Sequence, residues 1–558
     1  MPLLARDLRR LADESFDLLI LGGGVNGLAT AWDAVRRGLK VALIEKGDFG
    51  AATSSATLKI VHGGLRYLQH LDFVRMIESI RERSSMLAMA PHLVSPMPFV
   101  MPTRGVLLNS PPALLAGLVL NDAIGFNRNR RLRDPARRIP MGRMLSRKRC
   151  LELAPALDPA AVSGGVIFHD AQMYNSERLT LSFALSAAGL GAALANYTAA
   201  VRLLRDGGRV VGARARSETD GTEFDIRAKL VANMTGPWSD IVLGLLDRPD
   251  PPRRVLRSKG IQIVVPRLPG GMAFAAASRY KDPDALFSLG ARHYFITPWR
   301  GVWLAGTTDT VYEGDPDGFR ITAADIREFV DELNGAMPAA QIRAEDVPFA
   351  FGGLRPITEK NLDSGSKVAR RYEITDHRAD GGVEGLISVV GVKYTTCRWL
   401  AEQVVDRAVA KLGRPAAPCT TAFEPLEGGD IASFDDFLAG ELKVRPAGLP
   451  EAAARHLALS YGRLSERVKR LAAERPELAG LIPGSSEVTR AEIAHAAREE
   501  SALRLEDAVL RRTDLGTLGH PGRAALESCA AIMAAELGWD AARAAREIES
   551  IERIYRRE

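Results

Sequence analysis

The sequence predicts an α/β fold that begins with a strand–helix–strand unit and ends in a helical region. Residues 16–21 form an apolar run with one acid, which is typical of a strand buried in a parallel sheet. A helical stretch over 26–37 and a second apolar strand follow it. Beyond residue 429 the chain is rich in alanine, leucine, arginine and glutamate at helical spacing. A sheet domain is therefore expected first and a helical domain last.

Composition is that of an ordinary globular protein. The chain has 558 residues, a net charge of +6 and 46% hydrophobic residues, which excludes a disordered, fibrous or disulfide-built protein. At about 150 residues per domain, the length allows roughly three or four units. No CxxC pair is present, so no zinc or other metal site is predicted and a reducing compartment is expected; the cysteines are Cys150, Cys397, Cys419 and Cys529.

The N-terminal residues and the longest apolar stretch predict neither export nor a membrane-spanning helix. Residues 1–16 mix charges with short apolar runs, so no signal peptide is predicted and a cytoplasmic location is expected. The longest apolar stretch, residues 106–120, contains two polar residues and two prolines. It falls short of the roughly 20 apolar residues that a bilayer crossing needs.

Local signals refine the order of the elements. Residues 199–216 hold two β-rich runs about an Asp-Gly-Gly turn, which predicts a hairpin. Prolines and glycines over 415–429 favour a linker. Thr489 and Glu492 have the spacing of a capping box and predict a helix start.

A glycine motif follows the first strand directly. Gly22, Gly24 and Gly27 form G-x-G-x-x-G, in which the first glycine permits a tight turn, the second admits a pyrophosphate and the third allows helix and strand to pack closely. Glu45 ends the second strand, where its carboxylate can accept hydrogen bonds from a ribose. These residues predict a Rossmann-like dinucleotide site. The motif does not distinguish whether the dinucleotide is NAD or FAD.

Longer segments carry a family resemblance. They are SSATLKIVHGGLRYLQ (54–69), VANMTGPWSD (231–240), TPWRGVWLAGTTDT (297–310), FGGLRPI (351–357), RRYEI (370–374) and GVKYTTCRWL (391–400). In this combination and order the chain resembles the aerobic, quinone-linked, FAD-dependent glycerol-3-phosphate dehydrogenases. The helical C-terminal part is similar to the C-terminal domain of that family, so the resemblance covers nearly the whole chain.

The resemblance implies a domain plan for residues 1–414. A Rossmann-like FAD-binding domain, with segments at about 14–70, 165–245 and 350–412, is interleaved with a β-rich substrate domain at about 71–164 and 246–349. The linker 415–429 and a helical C-terminal domain over 430–558 complete the plan.

The resemblance also implies where the cofactor lies. A non-covalent FAD would place its flavin between the two interleaved domains, and a helix starting near Thr395 would point its positive end at the flavin. Two segments would line the flavin, the first with Ser54, Ser55, His62, Gly63, Gly64 and Leu65 and the second with Gly391, Val392, Lys393 and Thr395.

Four cations are expected around the substrate phosphate. The resemblance assigns Arg66, Arg355, Arg370 and Lys393 to it, and a phosphomonoester dianion needs several fixed cations. Arg371 is an alternative to Arg370.

The base that takes the hydroxyl proton is left open by a departure from the family. A histidine usually stands where this sequence has Gln262, and an amide cannot act as a base. His62 beside the flavin is the first choice, as base or as a hydrogen-bond partner of the hydroxyl. His293 is the second candidate.

The resemblance implies oxidation of sn-glycerol 3-phosphate to dihydroxyacetone phosphate, with electrons passed to a membrane quinone. The apolar stretch adjoins a basic run, residues 128–149, and this combination predicts peripheral attachment to anionic lipid at the cytoplasmic face of the inner membrane. The competing interpretation is that the apolar part packs internally and the arginines are solvated or bind a partner chain. A nucleic-acid partner is not expected, and a homodimer is left open.

Two alternative functions remain. One is a related FAD-dependent oxidase that uses oxygen or another substrate, and the other is a catalytically silent flavin protein at a membrane, which Gln262 suggests.

Overall fold

A computed structural model describes residues 2–65, 67, 72–105, 111–246, 255–281, 291–357, 372–379, 381–391 and 393–557. Within these ranges the strands are β1 (Ser15–Leu21), β2 (Val41–Ile44), β3 (Ile60–Val61), β4 (Val94–Thr103), β5 (Arg143–Leu145), β6 (Gly164–Met173), β7 (Ala193–Ala195), β8 (Thr198–Asp206), β9 (Arg209–Ser217), β10 (Glu223–Asn233), β11 (Leu256–Val265), β12 (Ala273–Lys281), β13 (Ala291–Trp299), β14 (Val302–Gly306), β15 (Thr310–Tyr312), β16 (Ala350–Ile357), β17 (Glu373–Asp376) and β18 (Leu386–Val390).

The helices in the same ranges are α1 (Leu8–Asp13), α2 (Val25–Arg36), α3 (Phe73–Met89), α4 (Pro111–Ile124), α5 (Arg147–Leu153), α6 (Ser176–Gly189), α7 (Ser239–Leu243), α8 (Ala323–Ala336), α9 (Cys397–Leu412), α10 (Phe434–Lys443), α11 (Glu451–Tyr461), α12 (Ser465–Glu474), α13 (Arg490–Glu499), α14 (Arg523–Leu537) and α15 (Ala541–Arg556). A π-helical turn, Asp507–Arg512, lies between α13 and α14.

The central strands of the first sheet have the order β17-β18-β10-β1-β2-β7, and all of these except β17 run parallel. The antiparallel β8–β9 hairpin joins the same sheet, because β9 pairs with β10. Its central strands are buried on both faces, because α2, α6 and α9 share one apolar cluster with it on one side and the β8–β9 hairpin covers the other. The predicted opening strand, helix and second strand are confirmed, and their ends differ from the prediction by a few residues at most. The predicted hairpin is confirmed as well.

The second sheet has the order β15-β11-β14-β13-β12-β4-β6-β3 and is antiparallel apart from the β12–β4 pair. Helix α8 packs on one face of it. β6 pairs with β4 along its whole length, and β16 pairs with β11. β3, β6 and β16 therefore pair in the second sheet, although the expected FAD-binding segments at about 14–70, 165–245 and 350–412 include them. Their apolar sequences look alike in either sheet, and only the pairing partner distinguishes them.

The C-terminal helices pack against the second sheet. Side chains of α13, α14 and α15 form an apolar cluster with Val264, Leu304 and Phe351 of β11, β14 and β16. The predicted capping box is confirmed at the start of α13, where the Thr489 and Glu492 side chains each accept from the other's backbone N–H. This end of the chain is therefore fixed to the sheet by apolar contacts.

Two of the ten cations in the basic run, residues 128–149, are not accessible to a lipid surface. Arg128 and Arg137 are buried: Arg128 forms an ion pair of 3.2 Å with Asp122, and the Arg137 guanidinium lies 4.6 Å from the ring centroid of Phe434 in α10. The other eight Lys and Arg residues of 128–149 are exposed. Within the described ranges, no helix has the length and hydropathy that crossing a bilayer requires.

Candidate active site

The glycine turn between β1 and α2 is tightly packed. Gly22 follows β1 with a φ of 110°, which a residue with a side chain rarely adopts. A Cβ at Gly27 would lie 2.0 Å from the carbonyl oxygen of Gly22, so α2 approaches the strand as closely as glycine allows. α2 begins at Val25 with Gly24 as its N-cap. The turn therefore presents a helix N-terminus, where backbone N–H groups favour an anion.

Side chains from distant segments complete this helix end. The Ser54 hydroxyl accepts from the Val25 N–H at 2.9 Å, in place of a capping side chain at Gly24. Ser55 turns back on its own loop and donates to the Ala52 carbonyl at 2.8 Å. Asn26 Oδ1 is buried and has no partner among the described residues.

Glu45 lies at the end of β2, beside the glycine turn. Its carboxylate accepts from the backbone N–H groups of Gly23 at 2.6 Å and Gly47 at 2.8 Å. Burial raises the pKa of Glu45, although both hydrogen bonds oppose the rise. Glu45 thus braces the turn, a contact that the sequence does not reveal, in addition to the ribose contact expected of it.

The loop that leads to β3 is anchored by a buried ion pair. Lys59 Nζ lies 2.6 Å from the Glu177 carboxylate and donates to the Ser176 hydroxyl at 2.8 Å. Both charged side chains are almost fully buried, where an ion pair requires close geometry and further hydrogen bonds. Nothing in the local sequence marks Lys59, because its partner lies 118 residues away.

A second buried contact fixes the residues after β3. The Gly63 N–H donates to Asp170 Oδ1 at 2.5 Å, and the same oxygen accepts from Arg83 at 2.6 Å. Burial raises the pKa of Asp170, and the Arg83 charge opposes this. Gly64 has a φ of 78°, so its place in the predicted flavin segment has a conformational reason.

Residues from the two predicted flavin segments meet around one aromatic ring. The His62 N–H donates to the Thr395 hydroxyl at 3.3 Å. The His62 ring centroid lies 6.1 Å from that of Tyr67, and Lys393 Nζ lies 4.2 Å from the same Tyr67 centroid. The fold therefore brings together a histidine and a lysine that are more than 300 residues apart in the chain.

The second segment also approaches the glycine turn. A Cβ at Gly391 would lie 2.9 Å from Asn26 Nδ2 in α2 and 2.6 Å from Leu400. The helix expected near Thr395 is α9, which begins at Cys397. Leu65 packs partly buried against the apolar cluster of β4 and β6.

Arg355 extends from β16 across the middle of β11 toward the residues that follow β14. Its Nη2 donates to the Thr307 hydroxyl at 2.8 Å, and its Nη1 lies 3.6 Å from Asp309 Oδ1. A Cβ at Gly260 would lie 2.2 Å from Arg355 Nη2, so glycine there makes room for the guanidinium. The Thr53 hydroxyl donates to the Leu354 carbonyl at 2.6 Å, which ties this strand to the first flavin segment.

Gln262 shares the Thr307 hydroxyl with Arg355, since its Nε2 donates to that oxygen at 2.8 Å. His293 lies on β13 opposite Ala277 of β12, separated from β11 by β14. Arg66, Arg370, Arg371 and Val392 lie outside the described residues.

Similar proteins match both the sheet-containing part of the chain and its helical C-terminal part. A family model for FAD-dependent oxidoreductases matches residues 17–407, and one for the C-terminal domain of alpha-glycerophosphate oxidase matches residues 419–544. A glycerol-3-phosphate dehydrogenase of Synechocystis sp. is 34% identical over 544 residues, which are 96% of this chain and 95% of the relative. The chain belongs to the FAD-dependent glycerol-3-phosphate dehydrogenase family. The Mycobacterium leprae glycerol-3-phosphate dehydrogenase is 35% identical over 541 residues, 97% of this chain and 88% of the relative.

A solved member of the family confirms the predicted fold class. The X-ray structure of the glycerol-3-phosphate dehydrogenase from Bacillus halodurans, complexed with FAD, matches with a TM-score of 0.76 and 26% identity over 98% of this chain and 96% of that one. FAD is the cofactor of this family, and the site fits it. The helix end at Val25 suits its diphosphate, and the buried acceptor Asn26 Oδ1 suits a hydroxyl donor beside it.

Proposed function

We propose that this dehydrogenase oxidises sn-glycerol 3-phosphate to dihydroxyacetone phosphate. When bound, FAD supplies the acceptor for the hydride that leaves C2 of the substrate. The observation that carries the proposal is the meeting of His62, Tyr67 and Lys393, because it places a proton acceptor beside a cation for the phosphate.

His62 is the proposed base. As the hydride leaves C2, the proton of the C2 hydroxyl moves to the imidazole, and the C–O bond becomes the carbonyl of the product. The His62 backbone is held by Thr395 on one side, and the next residue, Gly63, is held by Asp170. The imidazole is thus attached to a loop that is fixed at two points.

Lys393 and Arg355 are proposed to bind the phosphate, together with Arg66 and Arg370, whose part rests on the family resemblance. Arg355 supports this role because Thr307 and Asp309 orient its guanidinium, and an oriented fork binds two phosphate oxygens at once.

Anaerobic stopped-flow reduction of the flavin tests the function. Native enzyme bleaches the oxidised flavin band with glycerol 3-phosphate, and His62→Ala slows the reduction by about 10²- to 10⁴-fold. Arg355→Ala mainly raises the KM, because it removes a phosphate contact. His520→Ala is the matched control, since His520 is an exposed histidine of the C-terminal helical domain that pairs with Glu552.

The outcomes separate the alternatives. Bleaching by other donors alone would indicate an oxidase of different specificity, and no bleaching by any donor would indicate a silent flavin protein. An unchanged reduction rate in His62→Ala would contradict the assignment of the base.

The acceptor is proposed to be a membrane quinone, reached from the cytoplasmic face of the inner membrane. Helix α4 supports peripheral attachment, because Ala116, Val119, Leu120 and Ala123 are exposed on one face of it. Val119 is 56% exposed and Phe126, just beyond the helix, is 82% exposed. Together with the eight exposed basic residues of 128–149, this surface combines apolar side chains with cations, which suits shallow insertion among anionic lipids.

The interleaved domain plan is likewise part of the proposal, with β6 and β16 moved to the substrate domain.

A further inference from the structure

Gln262 carries a buried hydrogen-bond acceptor that the proposed mechanism does not use. Its side chain is 3% exposed, on β11, opposite Gly306 of β14 and Phe351 of β16. The amide oxygen Oε1 has no hydrogen-bond partner among the described residues. A buried acceptor without a partner is unfavourable, so such an atom calls for a ligand or a structural reason.

The orientation of the amide follows from the Thr307 hydroxyl. That hydroxyl donates its proton to the Thr308 carbonyl at 3.2 Å and accepts from Arg355 at 2.8 Å. Its remaining lone pair can only accept, so the amide nitrogen of Gln262 faces it, at 2.8 Å. The amide oxygen is consequently directed away from Thr307.

The surroundings place Gln262 beside residues of the proposed substrate site. A Cβ at Gly306 would lie 2.8 Å from Gln262 Cγ and 3.0 Å from Leu58, which belongs to the first flavin segment. Gln262 therefore lies between Arg355, a proposed phosphate ligand, and the loop that leads to His62.

Glycerol 3-phosphate has two hydroxyl groups with different fates. The C2 hydroxyl loses its proton to a base, which an amide oxygen cannot be. The terminal hydroxyl keeps its proton throughout the reaction. It can therefore donate the same hydrogen bond in the substrate and in the product. An amide oxygen can therefore remain the partner of the terminal hydroxyl throughout the reaction, whereas the C2 hydroxyl must give its proton to a base.

We infer that Gln262 Oε1 accepts a hydrogen bond from the terminal hydroxyl of the substrate and so selects a hydroxymethyl group at C1. This inference rests on the proposed substrate and deepens it. Gln262 is a specificity-determining residue, and it transfers no proton.

The test compares two substrates in two enzymes. Propane-1,2-diol 1-phosphate has a methyl group in place of the hydroxymethyl group and keeps both the phosphate and the reacting C2. We expect native enzyme to prefer glycerol 3-phosphate in kcat/KM by about tenfold to a hundredfold. Gln262→Met, of similar length but without an acceptor, should reduce this preference to within about threefold, chiefly by lowering kcat/KM for glycerol 3-phosphate.

Gln172→Met is the matched control. Gln172 is a half-buried glutamine of β6 in the same sheet, and it donates to the Pro298 carbonyl at 2.7 Å. It should keep the native preference.

Three results would overturn the inference or its basis. If Gln262→Met lowers kcat/KM equally for both substrates, the residue only supports Thr307 and Arg355, and the inference is wrong. If native enzyme shows no preference, the inference is wrong whether or not the variant folds. If native enzyme does not reduce its flavin with glycerol 3-phosphate at all, the proposed function itself fails.

Discussion

The contact between α2 and β1 depends on a glycine that leaves no space for a side chain. Gly27 faces the carbonyl oxygen of Gly22, which in turn has a φ of 110°. These two glycines set the distance between the helix end and the sheet, and hence the position of the N–H groups offered to the FAD diphosphate.

Gly27→Ala should therefore lower both stability and FAD content. Its Cβ would lie 2.0 Å from the Gly22 oxygen, so the helix must move, and overpacking of this kind costs about 1–3 kcal/mol. Thermal unfolding and the ratio of flavin to protein absorbance measure the two effects. Gly189→Ala, at the exposed end of α6 with no atom within 4 Å of the added Cβ, should leave both unchanged or raise stability slightly. A Gly27→Ala enzyme with full flavin content would show that the close approach is not needed.

At this scale the sequence predicts the glycines well and the buried partners poorly. A φ above zero and a close helix approach each require glycine, so the motif reveals both. Lys59 and Asp170 have partners 118 and 87 residues away, on α6 and α3, and no local pattern connects such pairs.

Among the elements, α4 has an unusual distribution of exposed side chains. Its inner side packs Leu118 into the cluster of β4 and β6, and its outer face exposes apolar residues. An apolar face of this kind, next to arginines, is a surface on which lipid can replace water.

Glutamate substitutions on α4 test this role. We expect Val119→Glu combined with Leu120→Glu to weaken sedimentation with anionic liposomes by roughly tenfold or more, because two apolar side chains are lost from the contact. Native binding should fall with added salt, since the exposed arginines pair with headgroups. Val311→Glu, at a 79% exposed valine on β15 at the far end of the second sheet, is the control. If the α4 double variant and Val311→Glu bind liposomes equally well, α4 does not contact the membrane.

The elements themselves are largely predictable, because their signals are local. The opening strand, the hairpin and the capping box lie where the pattern places them. The sheet to which a strand belongs is not local information, which is why the sequence does not predict that β6 and β16 pair in the second sheet. The burial of Arg137 is not predictable from the sequence for the same reason, since Phe434 lies some 300 residues beyond it.

At the scale of the whole molecule, buried charges join the first and last thirds of the chain, in addition to the apolar contacts. Asp48, three residues after Glu45, accepts from Arg511 at 2.7 Å and from Arg512 at 2.7 Å, in the π-helical turn of the C-terminal domain. Burial alone would raise the pKa of Asp48, but the two arginines hold it well below its usual range. The carboxylate therefore stabilises the native state while it is ionised.

Asp48→Asn should destabilise the protein by about 3–5 kcal/mol at neutral pH, because it leaves two buried guanidinium groups without their shared carboxylate. The sign of the pH dependence follows from the lowered pKa. The contribution is complete above the unfolded value, about 3.9, and is lost as the pH falls further. The stability difference between native and variant enzyme should thus shrink below about pH 4 in urea unfolding.

Asp346→Asn is the matched control for that experiment. Asp346 pairs with Arg343 at 2.7 Å on the surface, where an ion pair contributes little, so its removal should not change the unfolding curve. A pH-independent difference for Asp48→Asn would contradict the assignment to an ionised carboxylate.

The parallel pairing of β1 also governs how the chain can be made. Leu18 pairs with Val41 on β2 at one edge, and with Leu230 on β10 at the other. β2 leaves the ribosome soon after β1, whereas β10 follows some 200 residues later, which at 5–20 residues per second is roughly 10–40 s. During that interval an apolar strand edge has no native partner, and nascent chains crowded on one messenger can pair through it. The yield of folded enzyme should accordingly depend on how well chaperones protect this growing chain until β10 is made.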